Sequence, residues 1–325
     1  MIGYTSWPNV EENYKSTLAR EFNYVTIFTT MTYLQPDRGR FTLNIRDMEA
    51  AFSREHGMKL LGAPLIWDNW YKHTDTPAWL KFATPDCGGW SKAELDEIMK
   101  THIQTVVSHF KGAFSVWQVV NEPLKRDRDL TPGPLSQADI RDSCWYKLLG
   151  EDYIAKAFTY AHAADPQALL MMNDQFGYRG TDRLQGDKFL ELVKKLKDQG
   201  VPIHVAGYQM HLQAQLLQPN FLDDFRDFLQ KSASLGIQVH ITEMDVYQGP
   251  PGAFPNPQQR VKEIYESILA TCLQFSHCKA LTVFGITDKY GSARENLPNA
   301  AALLFDESYK PKPAYFGVLD ALKRK

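Results

Sequence analysis

The sequence predicts an α/β fold, a single (β/α)8 barrel occupying residues 1–325. Two observations predict it. Strand-like and helix-like stretches alternate about eight times, with no linker, low-complexity tract or internal repeat between them. Acids, amides, a histidine and aromatics gather just after the strand-like stretches, where barrel enzymes carry their chemistry. The competing arrangement, a doubly wound open sheet, is missing its signature, because no glycine-rich phosphate loop follows the first strand-like stretch.

The predicted strands are residues 2–6, 24–28, 59–67, 114–120, 168–173, 204–209, 238–243 and 280–286. In the fourth, Val116, Val119 and Val120 suit a strand buried on both faces. Pro123 has no N–H for a ladder, so that strand stops at Asn121-Glu122-Pro123. The third is followed by Trp67-Asp68-Asn69-Trp70-Tyr71 and then Pro77-Ala78-Trp79, and the fifth by Asn173-Asp174. The sixth ends at Gln209-Met210-His211, the seventh at Thr242-Glu243-Met244-Asp245, and the eighth at Thr287-Asp288-Lys289-Tyr290. Helical patterns begin at Asp47 and cover residues 92–110, 154–164, 186–199, 222–235, 257–275 and 314–322. Gly57, Gly112, Gly200 and Gly236 stand just past such patterns, as C-terminal caps should.

Composition narrows the function classes. With 36 basic and 38 acidic residues the net charge is −2, which leaves no electrostatic footprint for nucleic acid. No apolar run is long enough to span a membrane. The opening Met1-Ile2-Gly3-Tyr4-Thr5 runs almost directly into a strand pattern, so a leader is absent or has been removed; secretion is the favoured reading and cytoplasm the alternative. Four cysteines leave this open. Cys272 with Cys278, and Cys87 with Cys144, fit two disulfides, and four buried thiols fit as well. Their spacing does not match zinc ligation, no His-x-x-Glu-His is present, and His204 and His240 lie within strands as core residues. No metal and no cofactor is expected, and a monomer is.

The residues after the strands suit a carbohydrate. Aromatic faces stack on the C–H faces of sugar rings, and amides and acids bind hydroxyls. Taken singly, Trp67, Trp79 and His211 are ordinary core residues, and Glu122 is an ordinary ion-paired acid at a loop start; their shared position after the strands is the informative part. Glu122 and Glu243 follow the fourth and seventh strands, on opposite sides of a barrel mouth. Two facing carboxylates are what glycoside hydrolysis requires, one to protonate the leaving oxygen and one to attack the anomeric carbon or direct water to it.

Six motifs then resemble one family, glycoside hydrolase family 10, whose best-known members are endo-β-1,4-xylanases. Trp117-Gln118-Val119-Val120-Asn121-Glu122 is similar to its acid/base motif, and Ile241-Thr242-Glu243-Met244-Asp245-Val246 to its nucleophile motif. Gly207-Tyr208-Gln209-Met210-His211-Leu212 resembles the strand-six motif whose histidine supports the nucleophile. Phe284-Gly285-Ile286-Thr287-Asp288-Lys289-Tyr290, with Leu303-Leu304-Phe305-Asp306 and Lys312-Pro313-Ala314-Tyr315, resembles the C-terminal signature. Glu21-Phe22-Asn23-Tyr24-Val25-Thr26 and Asn173-Asp174 match the second and fifth strands. The resemblance implies a retaining double displacement with Glu243 as nucleophile and Glu122 as acid and then base. It also implies Asn121 on the sugar 2-hydroxyl, His211 oriented by Asp245 against Glu243, Gln209 in support, and Asn173 in the substrate site with the aromatics. Anionic Glu243 should keep Glu122 protonated until the glycosyl ester forms.

The sequence departs from the family in a pattern. Where members carry Glu-Asn-x-Met-Lys-Trp, this chain has Phe28-Thr29-Thr30-Met31-Thr32-Tyr33. Where they carry Gly-His-x-Leu-x-Trp-His, it has Gly62-Ala63-Pro64-Leu65-Ile66-Trp67-Asp68. The tryptophan opening the strand-eight motif is Phe284, a second is missing at Gly291-Ser292, and the aspartate ahead of the Val-Asn pair is Gln118. Sites built to hydrogen-bond a hydroxyl lose about 10⁴-fold or more when those bonds cannot form. Altered recognition of the sugar on the non-reducing side is therefore expected, with new contacts from Trp70, Tyr71, Lys72, His73, Trp90 or the charged residues 125–141. Ordinary xylanase action with a drifted pocket, another β-glycan or a non-sugar aglycone, and a non-catalytic carbohydrate-binding barrel are the alternatives.

Overall fold

The computed structural model describes residues 10–68, 75–176, 183–291 and 301–324. In chain order these form α1 (Glu12–Glu21), β1 (Tyr24–Phe28), α2 (Met31–Leu34), α3 (Asn44–Glu55), β2 (Lys59–Ala63), α4 (Lys92–His109), β3 (Val116–Asn121), α5 (Cys144–Leu149) and α6 (Asp152–Ala164). Then follow β4 (Leu169–Asp174), α7 (Arg183–Asp198), β5 (Val205–Tyr208), β6 (His211–Gln213), α8 (Phe221–Ser234), β7 (Gln238–Tyr247), α9 (Pro257–Leu273), β8 (Cys278–Val283) and α10 (Pro313–Lys323). The predicted strand at residues 2–6 and the candidate contacts Trp70, Tyr71, Lys72 and His73 lie outside the described residues.

Local chemistry explains the boundaries. The predicted strand 59–67 is shorter than expected: β2 stops at Ala63, because Pro64 has no N–H to continue the ladder. Beyond it, Ile66 keeps one isolated bridge to Val120. A capping box starts α4: Ser91 Oγ accepts the Glu94 N–H at 3.3 Å, and Glu94 Oε2 accepts the Ser91 N–H at 3.1 Å. The four glycines expected as caps all have positive φ. The helix α1 was not expected; it buries only Tyr14, Thr17 and Leu18, a stripe too narrow to stand out from its polar residues.

Two compact units carry these elements. The first comprises the described parts of Tyr24–Asp174 and Lys188–Val205. Its strands β1, β2, β3 and β4 pair in parallel, with Tyr24 opposite Lys59, Leu61 opposite Val116, and Val116 opposite Leu169. Leu61, Ala63, Val116, Met171 and Val205 pack a buried cluster. Gly62 leaves the room that Trp117 fills: a Cβ there would lie 2.3 Å from the indole. The β3–β4 register slips between Gln118 and Val120, which brings Asn121 opposite Asn173.

The segment after β3 is anchored from below. Lys188 Nζ donates to Asp139 Oδ2 at 2.7 Å with both side chains fully buried. Asp139 also accepts the N–H groups of Thr131 and Ser136 at 2.7 and 2.8 Å. Burial opposes charge on Asp139, yet Lys188 and these donors hold its carboxyl well below the usual range. A disulfide joins Cys87 to Cys144 in the same unit.

The second unit collects the remaining described residues. Its longest strand, β7, pairs in parallel with β6, His211 opposite Asp245, and with β8, Ile241 opposite Leu281. A second disulfide, Cys272–Cys278, ties the end of α9 to the start of β8. Of the two cysteine readings, the paired one holds at both places. His240 is buried, which pushes its imidazole down to about 4 and keeps it neutral, in keeping with a core residue.

Candidate active site

In the first unit the site grows from the end of β3. Glu122 has a φ of +49°, a backbone region that side chains other than glycine adopt only at a cost of about 1–3 kcal/mol. Its N–H donates to Asn173 O at 2.7 Å, and the Leu124 N–H donates to Asp174 Oδ2 at 3.1 Å. These bonds to the end of β4 turn the chain sharply at the carboxylate. Asn121 Oδ1 accepts from Gln118 Nε2 and from Asn173 Nδ2, both at 2.9 Å. With its oxygen taken twice, the amide is fixed in orientation. Gln118, the departure from the expected aspartate, thus acts on Asn121.

The carboxylate of Glu122 is ion-paired. Oε2 accepts from Arg141 Nη1 at 2.7 Å, and the Arg126 guanidinium stands 3.8 Å from the same oxygen. Side-chain exposure is 6% for Arg141 and 8% for Glu122, so this pair is shielded from solvent. The arginine is itself fixed, its Nε donating to Leu124 O at 3.1 Å and its backbone N–H to Pro123 O at 2.8 Å. Two guanidinium groups favour the charged carboxylate. The expectation that Glu122 rests protonated did not include them, and they act against it. Arg141 and Arg126 are the ion-pair partners of Glu122 that the sequence did not single out. The charged stretch 125–141 flagged the region, and only the fold selects the two that reach Glu122.

The other predicted residues of this unit divide. Asp68 Oδ2 accepts the Cys144 N–H at 2.9 Å, beside the disulfide. Trp67 is half-buried, and its indole N–H has no hydrogen-bond partner among the described residues. Trp79 donates to Gln35 O at 2.9 Å and meets Trp90 edge-on at 6.4 Å. Tyr33 is 47% exposed with the Arg46 guanidinium 5.9 Å from its ring, and the half-buried Phe28 gives its carbonyl to Arg46 at 3.3 Å. Thr29 spends its hydroxyl on Pro64 O at 3.2 Å.

In the second unit the site grows from β7 and the turn before β6. Glu243 donates its N–H to Gln209 O at 3.1 Å, and Met210 takes a φ of +61°. That turn delivers His211 between two carboxylates. Nδ1 meets Asp245 Oδ1 at 3.0 Å, and Nε2 meets Glu243 Oε2 at 3.2 Å. Burial alone would lower the imidazole; the Asp245 and Glu243 carboxylates reverse this and push it up to about 10. Phe284 closes over the ring edge-on at 4.9 Å. Gln209 is buried beneath. Tyr290 is turned elsewhere: its hydroxyl donates to Glu11 at 3.0 Å, and its ring meets Tyr14 at 5.9 Å. Lys289 and Tyr309 donate to the same Glu11 carboxylate, whose acidity these bonds strengthen to about 2.

Chemically, the first unit presents a carboxylate between arginines on a strained turn, and the second a carboxylate held by an imidazolium. Among the described residues no group of three or more histidines, cysteines or acids is arranged to hold a metal, and no helix is long and apolar enough to cross a membrane.

Comparison with known proteins is consistent along the chain. The family model described as glycosyl hydrolase family 10 matches residues 3–321. Endo-1,4-beta-xylanase B of Thermotoga neapolitana is 33% identical over 99% of this chain and 86% of its own. An endo-1,4-beta-xylanase of Geobacillus stearothermophilus is 34% identical over 98% of this chain and 94% of its own. Among solved structures, native xylanase 10B from Thermotoga maritima superposes with a TM-score of 0.83 at 33% identity, covering 96% of this chain and 90% of that one. Xylanase 10B from Thermotoga petrophila, in complex with xylobiose, gives 0.83 at 33% identity, over 97% and 90%. The fold is the (β/α)8 barrel that the alternation of elements predicts.

Proposed function

The chain belongs to glycosyl hydrolase family 10, a family of retaining glycoside hydrolases, and on that premise we propose that it cleaves β-glycosidic bonds by double displacement, with Glu243 as nucleophile and Glu122 as acid and base. In the first step a Glu243 oxygen bonds to the anomeric carbon as the bond to the leaving oxygen breaks. That oxygen keeps the electron pair and takes the proton of Glu122. In the second step water attacks the anomeric carbon, gives its proton to the Glu122 carboxylate, and frees Glu243 as a carboxylate. Residues 1–325 act as one catalytic domain and as a monomer.

The observation that carries this reading is the contact of His211 with both Asp245 and Glu243. The His211 ring on Oε2 holds the Glu243 carboxylate aligned for attack, while Asp245 fixes the ring. Asn121, its oxygen held by Gln118 and Asn173, is oriented to donate to the sugar 2-hydroxyl, a contact that strengthens in the transition state. The test is covalent trapping with a 2-deoxy-2-fluoro β-glycoside followed by peptide mass spectrometry. Label on Glu243, no label after Glu243→Ala, and rescue of Glu122→Ala by azide with a β-glycosyl azide product are expected. Label on another residue, or an α-configured product, would overturn the assignment.

We propose further that recognition of the sugar on the non-reducing side differs from that of ordinary xylanases. Thr29 and Asp68, at two of the departures, spend their side chains on Pro64 O and the Cys144 N–H. Phe28 and Tyr33 offer rings in place of a carboxylate and an indole. Unsubstituted xylan is thus a poor substrate beside a decorated or different β-linked glycan. Equal turnover of plain xylan and its decorated forms would refute this part. The two disulfides suit an oxidising compartment, in line with secretion.

A further inference from the structure

We propose that the cavity beside Glu122 is a carboxylate-binding site, so that the leaving-group portion of the preferred substrate is acidic; this rests on Glu122 being the acid and base. The cavity encloses about 580 Å³, within the range of small-molecule sites. One wall is the stretch from Phe82 to Cys87, and the others carry Lys125, Arg126, Arg141 and Lys147. The walls are built to keep their shape. The disulfide from Cys87 to Cys144 joins two of them, and the buried Lys188–Asp139 pair anchors the stretch that leads to Arg141.

Charge in this cavity is out of balance. Four cationic side chains line it against two lining carboxylates, Asp129 and Asp142, and the Glu122 carboxylate that reaches Arg126 and Arg141 from behind the lining. Asp142 is 3.8 Å from Lys125, and Asp129 is 3.5 Å from Arg128, which is not part of the lining. Lys147 has no ion-pair partner among the described residues. Arg141 Nη2 is buried with no hydrogen-bond partner, so Glu122 alone does not satisfy the guanidinium. Guanidinium and ammonium groups around a preformed hollow are a recognition set for a carboxylate.

The position gives this set its meaning. Arg126 and Arg141 line the cavity and also reach Glu122 Oε2. A general acid lies against the leaving oxygen, so what fills the space beside it belongs to the leaving group. A carboxylate there engages Arg126 and Lys147. It also brings a negative charge towards Glu122, which favours the protonated form that the first step requires. A neutral leaving group leaves Glu122 facing both arginines, which favour its unprotonated form and so leave less of the acid that the first step uses. A uronic-acid branch and an aryl-acid aglycone present the same group.

The test compares benzyl with 4-carboxybenzyl β-xylobioside, whose leaving oxygens have matched acidity. A kcat/KM about tenfold or more in favour of the acidic one is expected, falling toward parity in Arg126→Gln, in Lys147→Gln and at high salt. Equal kcat/KM in the wild type, or a preference unchanged in both variants, overturns the proposal. Binding is read separately by calorimetry with 4-(hydroxymethyl)benzoate and with glucuronate. Uptake of either that is weakened in Arg126→Gln supports the site and identifies which source fits; uptake of neither overturns it whatever the turnover. Carboxylate binding with neither glycoside cleaved leaves the site standing and rules out xylobiose as the glycone; the acid/base reading is tested apart from this, by the azide rescue of Glu122→Ala.

Discussion

Replacing Glu122 with alanine should destabilise the folded protein as well as stop the chemistry. The carboxylate and Arg141 form a buried pair at 2.7 Å, with exposures of 8% and 6%. Removing one partner of such a pair leaves an uncompensated charge, at a cost of about 3–5 kcal/mol. The +49° backbone at this position gives no relief, because alanine carries the same Cβ as glutamate. Unfolding entropy of about 2.1 cal/mol/K per residue over the 325 residues comes to about 0.7 kcal/mol/K, so Tm should fall by about 4–7 °C. Glu122→Gln keeps an acceptor for Arg141 and should lose clearly less, about 1–2 kcal/mol. The assay is urea unfolding followed by circular dichroism on wild type, Glu122→Ala, Glu122→Gln, Arg141→Met and the Glu122→Ala/Arg141→Met double variant. The double variant should recover part of the loss, since it removes both charges. A Glu122→Ala protein within about 0.5 kcal/mol of wild type would refute the reasoning, because that range marks a surface substitution free of such a pair.

Three other outcomes follow from the same structure. His211 is raised from its ordinary 6.5 to about 10 by Asp245 and Glu243 against burial, so its stabilising contribution is complete below about pH 6.5 and is lost as pH rises toward 10; His211→Asn should flatten that loss in pH-dependent urea titrations. Serine at both Cys87 and Cys144 opens a loop with a sequence separation of 57 and should cost about 4 kcal/mol, against about 2 kcal/mol for the Cys272–Cys278 pair with a separation of 6, measured by equilibrium unfolding. Lys188→Met strands the buried Asp139 and should cost about 3–5 kcal/mol while raising amide exchange across residues 125–141, read by hydrogen–deuterium exchange mass spectrometry.

The glutamates show how much of the site can be read in order along the chain. Glu122 is legible because an apolar strand pattern ends at Asn121-Glu122-Pro123, and proline cannot continue a ladder. Glu243 and His211 are legible because their motifs follow the seventh and sixth strand patterns, and the contact between them is the one the resemblance implies. Tyr290 shows where such reading stops. Its place after the eighth strand pattern made it a candidate substrate contact, and whether it faces a sugar or Glu11 depends on the rotation of one side chain and on a helix far away in sequence.

Alternation of strand and helix patterns, together with the residues that follow each strand, was thus decided by the sequence alone. Periodicity and turn chemistry are local, and each strand end carries its own signal. The charge state around Glu122 was decided only by tertiary structure. Residues 125–141 offer several cations, and which of them meets the carboxylate follows from two remote events: the β3–β4 register slip that turns Glu122, and the anchoring of Asp139 by Lys188 on α7. The energy of a buried ion pair depends on distance and burial, and neither is a property of any stretch of sequence taken by itself.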